Sequence, residues 1–261
     1  MEPLIIAVVA GLAALMTLYS GFGLGTVLMP VLAVFLPVET AVAATAMVHF
    51  ANNIFKVLAV GRHADRDLVL RFGLPAVIAA CAGAAALGLV AGMEAVVRYD
   101  LAGRPAVITP LKLLMALLMI AFALWELLPG LREQRFDRRY LMVGGLLSGF
   151  FGGLSGQQGA LRSAFLVRTG IATAAFVGTN AWIGLLVDSS RLLVYAGWLF
   201  GGILPGDSDA VAPMVAAGMA GALVGVLVGK RFLRKITLGL VQTLTGVLLL
   251  VIALGLGSGI L

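Results

Sequence analysis

Apolar runs of about twenty residues, the length needed to cross a bilayer as a helix, recur along this whole chain, and most of its charge sits in short segments between them. Of its 261 residues 61% are apolar and 11% charged, and mean hydropathy is +1.10, outside the range of water-soluble domains. An integral membrane protein with several spans is therefore expected. The first run follows Met1-Glu2-Pro3 without a basic lead-in and continues into "SGFGLG", so it reads as mature structure, not as a signal peptide. Cys81 has no second cysteine to pair with and reads as packing; neither a disulfide nor a metal site is expected within the chain. No cofactor is expected either. The net charge of +6 would hint at nucleic acid in a soluble protein, but here it tracks the loops and excludes that class.

Helical spans fit at 41–61, 69–92, 109–128, 172–197, 210–229 and 238–257. Two regions resist. Residues 4–36 are broken by Gly21, Gly23 and Gly25, and residues 141–168 by Gly152, Gly153, Gly156 and Gly159. A broken helix at membrane depth is tolerated where its freed backbone groups face protein or a watery cavity, so both breaks point inward. "SGFGLG" at 20–25 resembles "SGFFGG" at 148–153, and "LAVG" at 58–61 resembles "VYAG" at 194–197. Each half, 1–130 and 131–261, reads as a broken hairpin, a span with a polar stripe, then two bland spans.

Eleven of the eighteen Lys and Arg residues fall in "GRHADRDLVLR" (61–71), "LREQRFDRR" (131–139) and "KRFLRK" (230–235), which the positive-inside rule places in the cytoplasm. All three share a face if each broken element enters and returns on one side; the acidic "PGDSDA" loop (205–210) and both termini then lie outside. The expected fold is an all-α polytopic membrane protein of two inverted repeats, each a re-entrant hairpin plus three transmembrane helices. That is a common plan of secondary transporters.

Burying a charge at the centre of a membrane costs at least ~2.5–3.5 kcal/mol, so the polar residues inside the spans carry the functional reading. Thr45, His49, Asn52 and Lys56 form one helical stripe, with Asn53 beside it; Asn180, Asp188, Arg191 and Tyr195 form another. After Gly156 and Gly159 a short helix begins whose positive end faces the cavity, with Arg162 in its first turn and Ser155, Gln157, Gln158 and Ser163 adding donors. A cation at a helix N-terminus makes sense where an anion lies between them. Lys56, Arg162 and Arg191 against Asp188 favour an oxyanion, and guanidinium geometry suits sulfite, sulfonate, carboxylate or phosphate. Plainer roles stand beside these: an Asp188–Arg191 pair at i, i+3, a hydrogen-bonded helix contact for His49, snorkelling to the interface for Lys56, an interfacial Glu126 beside Trp125, and helix packing at Gly218, Gly221, Gly225 and Gly229.

"SGFGLGTVLMPVL" and "SGFFGGLSGQQGALRSAFLVRTGIATAAFVGTNAWIGLLVDSSRLLVY" resemble the sulfite exporter TauE/SafE family of membrane permeases over nearly the whole chain. The resemblance implies export of sulfite, sulfoacetate or related organosulfur anions, or uptake of sulfur compounds, with substrate near Gly23, Gly25 and Thr26 and near Ser155 to Arg162. The expected function is alternating-access export of such an anion through a multi-pass protein of the cell inner (plasma) membrane. The substrate-binding candidates are Arg162, Gln157, Gln158, Ser155, Gly156, Gly159, Gly23, Gly25, Thr26, Asn52, Asn53, Lys56, Asn180 and Arg191, with His49 and Asp188 as candidates for proton coupling. An anion channel and a proton-coupled importer of another small anion are the alternatives. A membrane enzyme lacks its constellation of paired carboxylates or clustered histidines. The expected partners are the anion, the bilayer and, compatibly, further copies of the chain.

Overall fold

The computed structural model describes residues 1–20, 23–101, 103–132, 134–200, 208–232 and 238–261. Helices dominate it: α1 (Glu2–Ser20), α2 (Leu24–Leu32), α3 (Val38–Val60), α4 (Arg66–Ala91), α5 (Pro110–Leu127), the single turn α6 (Pro129–Arg132), α7 (Leu141–Ser155), α8 (Gly159–Leu166), α9 (Thr173–Phe200), α10 (Ser208–Phe232) and α11 (Leu238–Gly257). Each span read from the sequence falls on one of them, and the two glycine breaks separate α1 from α2 and α7 from α8. Local chemistry sets several boundaries. Asp65 caps α4 by accepting from the Leu68 N–H (3.1 Å), and Thr109 caps α5 by accepting from the Lys112 N–H (3.1 Å), with Pro110 in the first turn. Gly156, at φ +78°, ends α7 in the left-handed conformation that a side chain resists. Among the described residues four helices are long and apolar enough to cross a membrane: Val38–His63, Arg66–Ala91, Pro110–Leu127 and Ala210–Gly229. At 28 residues α9 is also long enough, although its polar stripe dilutes its hydropathy.

Small residues bring the helices close. Along α7, Gly145, Gly149 and Gly153 lie against the carbonyls of Phe72, Ala76 and Ala80 on α4, so two four-residue ladders mesh. On α10, Gly221 and Gly225 lie in the same way against the carbonyls of Ala7 and Gly11 on α1. A methyl group at Gly149 would run into the Ala76 backbone. Gly149→Ala is therefore expected to lower the stability of the detergent-extracted protein by about 1–3 kcal/mol. Gly130→Ala, which meets nothing within 4 Å, should leave the melting curve unchanged. The other principal contacts pair α5 with α11, α3 with α9, α4 with α9 and α3 with α10.

The structure adds one element to the expected all-α fold and corrects one expectation. First, in the connection between α4 and α5, β1 (Val97–Leu101) pairs antiparallel with β2 (Arg104–Ile108), a ribbon turned at Gly103 (φ +81°), whose N–H donates to Asp100 Oδ1 at 2.7 Å. The ribbon is tied to the C-terminal end, where the Val107 N–H donates to the Gly259 carbonyl (3.0 Å) and the Tyr99 hydroxyl to the Ser258 carbonyl (2.5 Å). Second, Glu126 is not interfacial but buried at 1% exposure, because α11 covers this end of α5, with Gly246 packed on Leu127. Cys81 is a half-buried free thiol.

The basic segments 61–71 and 131–139 meet on one face, where Asp67 pairs with Arg71 (2.7 Å) and Arg138 (3.2 Å). The third, 230–235, runs into residues 233–237, and the acidic loop begins within 201–207; both stretches lie outside the described residues, as do Gly21 and Phe22 of the first break.

Candidate functional site

The centre of the molecule is the crossing of α3 and α9. His49 stands eleven residues from either end of α3 (49 − 38 and 60 − 49), about 17 Å along the axis each way, and its ring meets Asp188 near the middle of α9. The Asp188 carboxylate is fully buried and saturated. Oδ2 accepts from His49 Nδ1 (2.6 Å) and Asn53 Nδ2 (2.7 Å); Oδ1 accepts from Gln158 Nε2 (3.1 Å) and from Arg191 Nε and Nη2 (3.0 and 2.7 Å). One carboxylate thus ties α3, α8 and α9 together. Burying it is tolerable because each oxygen has ionic or amide donors.

Arg191 is turned away from any open space. Besides Asp188 it donates from Nη1 to the Gly152 carbonyl (2.9 Å) in the last turn of α7, and one turn on, the Tyr195 hydroxyl donates to the Gly153 carbonyl. A cation at the negative end of the broken helix is favourable, so Arg191 neutralises Asp188 and caps α7.

The tips of the two broken elements touch. A Cβ on Gly25 would lie 2.5 Å from the Gly156 carbonyl oxygen and 4.0 Å from the His49 ring, so Gly25 permits the contact. Neither α2, capped by Gly23, nor α8, capped by Gln158, has a side-chain cap, which leaves their first-turn N–H groups without intrahelical acceptors at the centre. Gly159 opens α8. Ser155 donates to its own helix at the Phe151 carbonyl (2.9 Å) and Ser148 to the Gln158 carbonyl (2.9 Å), so both hydroxyl protons serve the backbone.

Beside the His49–Asp188 pair, towards the basic loops, lies a small cavity lined by Thr17, His49, Asn53, Lys56, Arg162 and Asn180, with Val177 and Ala181. Arg162, 2% exposed, donates from Nε to Asn180 Oδ1 (2.7 Å) and from Nη1 to Gln158 Oε1 (3.3 Å). Lys56 does not snorkel; its Nζ donates to the Thr17 hydroxyl at 2.7 Å. Gly184 makes room for both walls, since a Cβ there would lie 2.5 Å from Asn53 Nδ2 and 3.2 Å from Arg162 Nη1. With Asp188 committed to Arg191, the two cations on the cavity rest on neutral hydroxyl and amide groups among the described residues. The cavity volume is about 10 Å³, room for about one water, so the site is closed.

The structure thus brings Arg162, Lys56, Asn53 and Asn180 to one cavity, sets Gln158, Asp188 and Arg191 behind it, and places Gly23, Gly25, Gly156 and Gly159 at the touching tips. Thr26 and Gln157, next in the chain to Gly25 and Gly156, are buried, as is Asn52, one turn along α3 from His49. The sequence reading missed Thr17 and Gly184. Thr17 was detectable as a hydroxyl one turn before the first break; Gly184 lies between Asn180 and Asp188 but resembles every other small residue on a packed helix.

A bundle of apolar helices around a closed, buried, net positive centre defines a polytopic membrane protein of the transport class. The family model described as sulfite exporter TauE/SafE matches residues 5–256, and the chain belongs to that family. Membership makes it a membrane transporter of the sulfur-anion class, in keeping with its apolar helices. No curated protein shows significant similarity to it.

Proposed function

We propose that this protein exports a small sulfur-containing oxyanion, sulfite, sulfoacetate or a related organosulfonate, across the cell inner (plasma) membrane by alternating access. The observation that carries this reading is the cavity: Arg162 and Lys56 both line it while the nearby carboxylate is committed to other donors. An oxyanion supplies the missing negative charge, and the guanidinium can grip two of its oxygens.

The packing supports two inverted halves. Matching α1 with α7, α3 with α9, α4 with α10 and α5 with α11 converts the α1/α10 contact into α7/α4 and the α3/α10 contact into α9/α4, while α3/α9 and α5/α11 map onto themselves. The second broken element also returns to where it began: the Phe136 N–H, just before α7, donates to the Ala164 carbonyl near the end of α8 (3.4 Å), and the Phe136 and Phe165 rings stack at 4.3 Å. A hairpin that re-enters on one face, followed by three crossings, starts the second half on the opposite face.

The closed cavity favours a carrier over an open channel, since a bound anion needs the halves to part before it can leave. With the interior negative, outward movement of an anion gains ~2.3 kcal/mol per charge per 100 mV, so export needs no coupled ion. Proteoliposomes loaded with sulfite should empty at carrier rates when an inside-negative potential is imposed, without single-channel currents. No potential-dependent efflux, or channel currents, would overturn the reading. A second reading, a proton-coupled importer, is favoured by the His49–Asp188 bond, which joins the halves where a change of protonation would act. It predicts accumulation driven by a pH gradient at zero potential, where uncoupled export predicts none.

A further inference from the structure

Among the described residues, the buried side chains of Thr26, Asn52 and Gln157 have polar atoms without a hydrogen-bond partner: Thr26 Oγ1, both amide atoms of Asn52 and both of Gln157. All three are at most 3% exposed. Thr26 follows Gly25 and Gln157 follows Gly156, the two glycines in contact; Asn52 is one turn along α3 from His49, whose ring adjoins Gly25. Leaving such groups unsatisfied costs free energy at every one of them. Thr26 lies in the uncapped first turn of α2, and Gln157 follows the glycine whose carbonyl that turn meets.

We infer that the touching tips form a second position for the transported oxyanion, held by the neutral donors of Thr26, Asn52 and Gln157 and by the first N–H groups of α2; the inference rests on the export reading above. The surrounding charge selects the sign of the occupant, because Arg162, Lys56 and the positive end of α2 repel a cation. Depth sets the order. Lys56 is four residues from the end of α3 at the basic face and Asn52 eight (60 − 56 and 60 − 52), so the second position lies about 6 Å deeper. An anion captured by Arg162 and Lys56 moves on to donors that carry no formal charge and release it more readily on the far side. The pseudo-equivalent contact in the other half is closed: Gln158, the cap of α8, reaches Asp188, whereas Gly23, the cap of α2, has no side chain with which to reach Asn52.

Asn52→Leu and Gln157→Leu in the full chain test this. Replacing an unsatisfied buried amide by an apolar group of similar shape should raise the unliganded melting temperature. Loss of the donors should slow sulfite efflux from proteoliposomes by about tenfold, while sulfite still protects the detergent-solubilised variants against heating through Arg162. Asn52→Asp, which sets a like charge at the position, should slow efflux at least as much. Wild-type efflux in both leucine variants would overturn the inference, as would a lower melting temperature in both, the mark of a purely structural role. A wild-type protein that moves no sulfur oxyanion would overturn the export reading, and the inference with it.

Discussion

Arg162→Ala should reduce sulfite export in proteoliposomes by about a hundredfold, the effect of removing one partner of a buried charge-assisted contact worth 2–5 kcal/mol, while the protein stays folded. The local bonding explains why the fold survives. Arg162 rests on the side-chain oxygens of Asn180 and Gln158, neutral groups that can turn to each other or to the water replacing the guanidinium. No buried carboxylate loses its counter-charge, because Asp188 keeps His49, Asn53, Gln158 and Arg191. Arg162→Lys should fall between wild type and alanine: it keeps the charge but loses the planar fork. Efflux and melting temperature measured on the same preparations check both halves of this expectation; wild-type export by a well-folded alanine variant would contradict it.

Asp188→Leu should instead cost the fold, by about 3–5 kcal/mol, the usual penalty for orphaning one member of a buried ion pair. Arg191 is fully buried, and without the carboxylate its charge is left with neutral acceptors such as the Gly152 carbonyl. His49, Asn53 and Gln158 lose their shared acceptor in the same step, loosening the joint of α3, α8 and α9. The double variant Asp188→Leu/Arg191→Leu should recover much of the loss, since an apolar pair can replace a buried ion pair at little net cost. Thermal melts of the detergent-extracted variants read this directly. A single variant as stable as wild type, or a double variant no better than the single, would show that the pair is not the joint described.

The contrast between these two residues bears on what the sequence revealed. Both stood out because charge is rare in a span, and the helical period placed His49 with Lys56 and Asp188 with Arg191 before any coordinates. Period alone could not divide their roles. Whether Arg191 faces substrate or caps α7 depends on where Gly152 ends up, thirty-nine residues away, which is a tertiary fact. Adjacent residues diverge for the same reason: Gln158 reaches Asp188 and Arg162, while the side chain of Gln157, one position earlier, has no hydrogen-bond partner among the described residues. Thr17 escaped notice because a hydroxyl in an apolar helix commonly bonds its own backbone. It does so here, at the Ala14 carbonyl (2.9 Å), while also receiving Lys56. The ribbon at 97–108 was not anticipated: five-residue strands between two long apolar spans are too short to stand out, and the first of them is exposed throughout. Glu126 was misjudged since a tryptophan beside a charge near a span end imitates an interface, and only the covering helix α11 removes it from one.

The glycines were half legible. Breaks in both halves announced interrupted helices, but the meeting of Gly25 with Gly156 follows from the meshing of α4 with α7 and of α1 with α10, which no local pattern encodes. Once the tips touch, the uncapped starts of α2 and α8 meet at the centre of the chain, with the Arg162 cavity beside them.

The proposed anion can be seen directly by crystallising the full-length protein with selenite, a heavier relative of sulfite, and locating selenium by anomalous scattering. A peak within hydrogen-bonding reach of the Arg162 guanidinium, between α8 and the Lys56 ammonium, is the expected result. Selenium confined to the exposed basic loops at 61–71 and 131–139, with the space around Arg162 holding water alone, would contradict it.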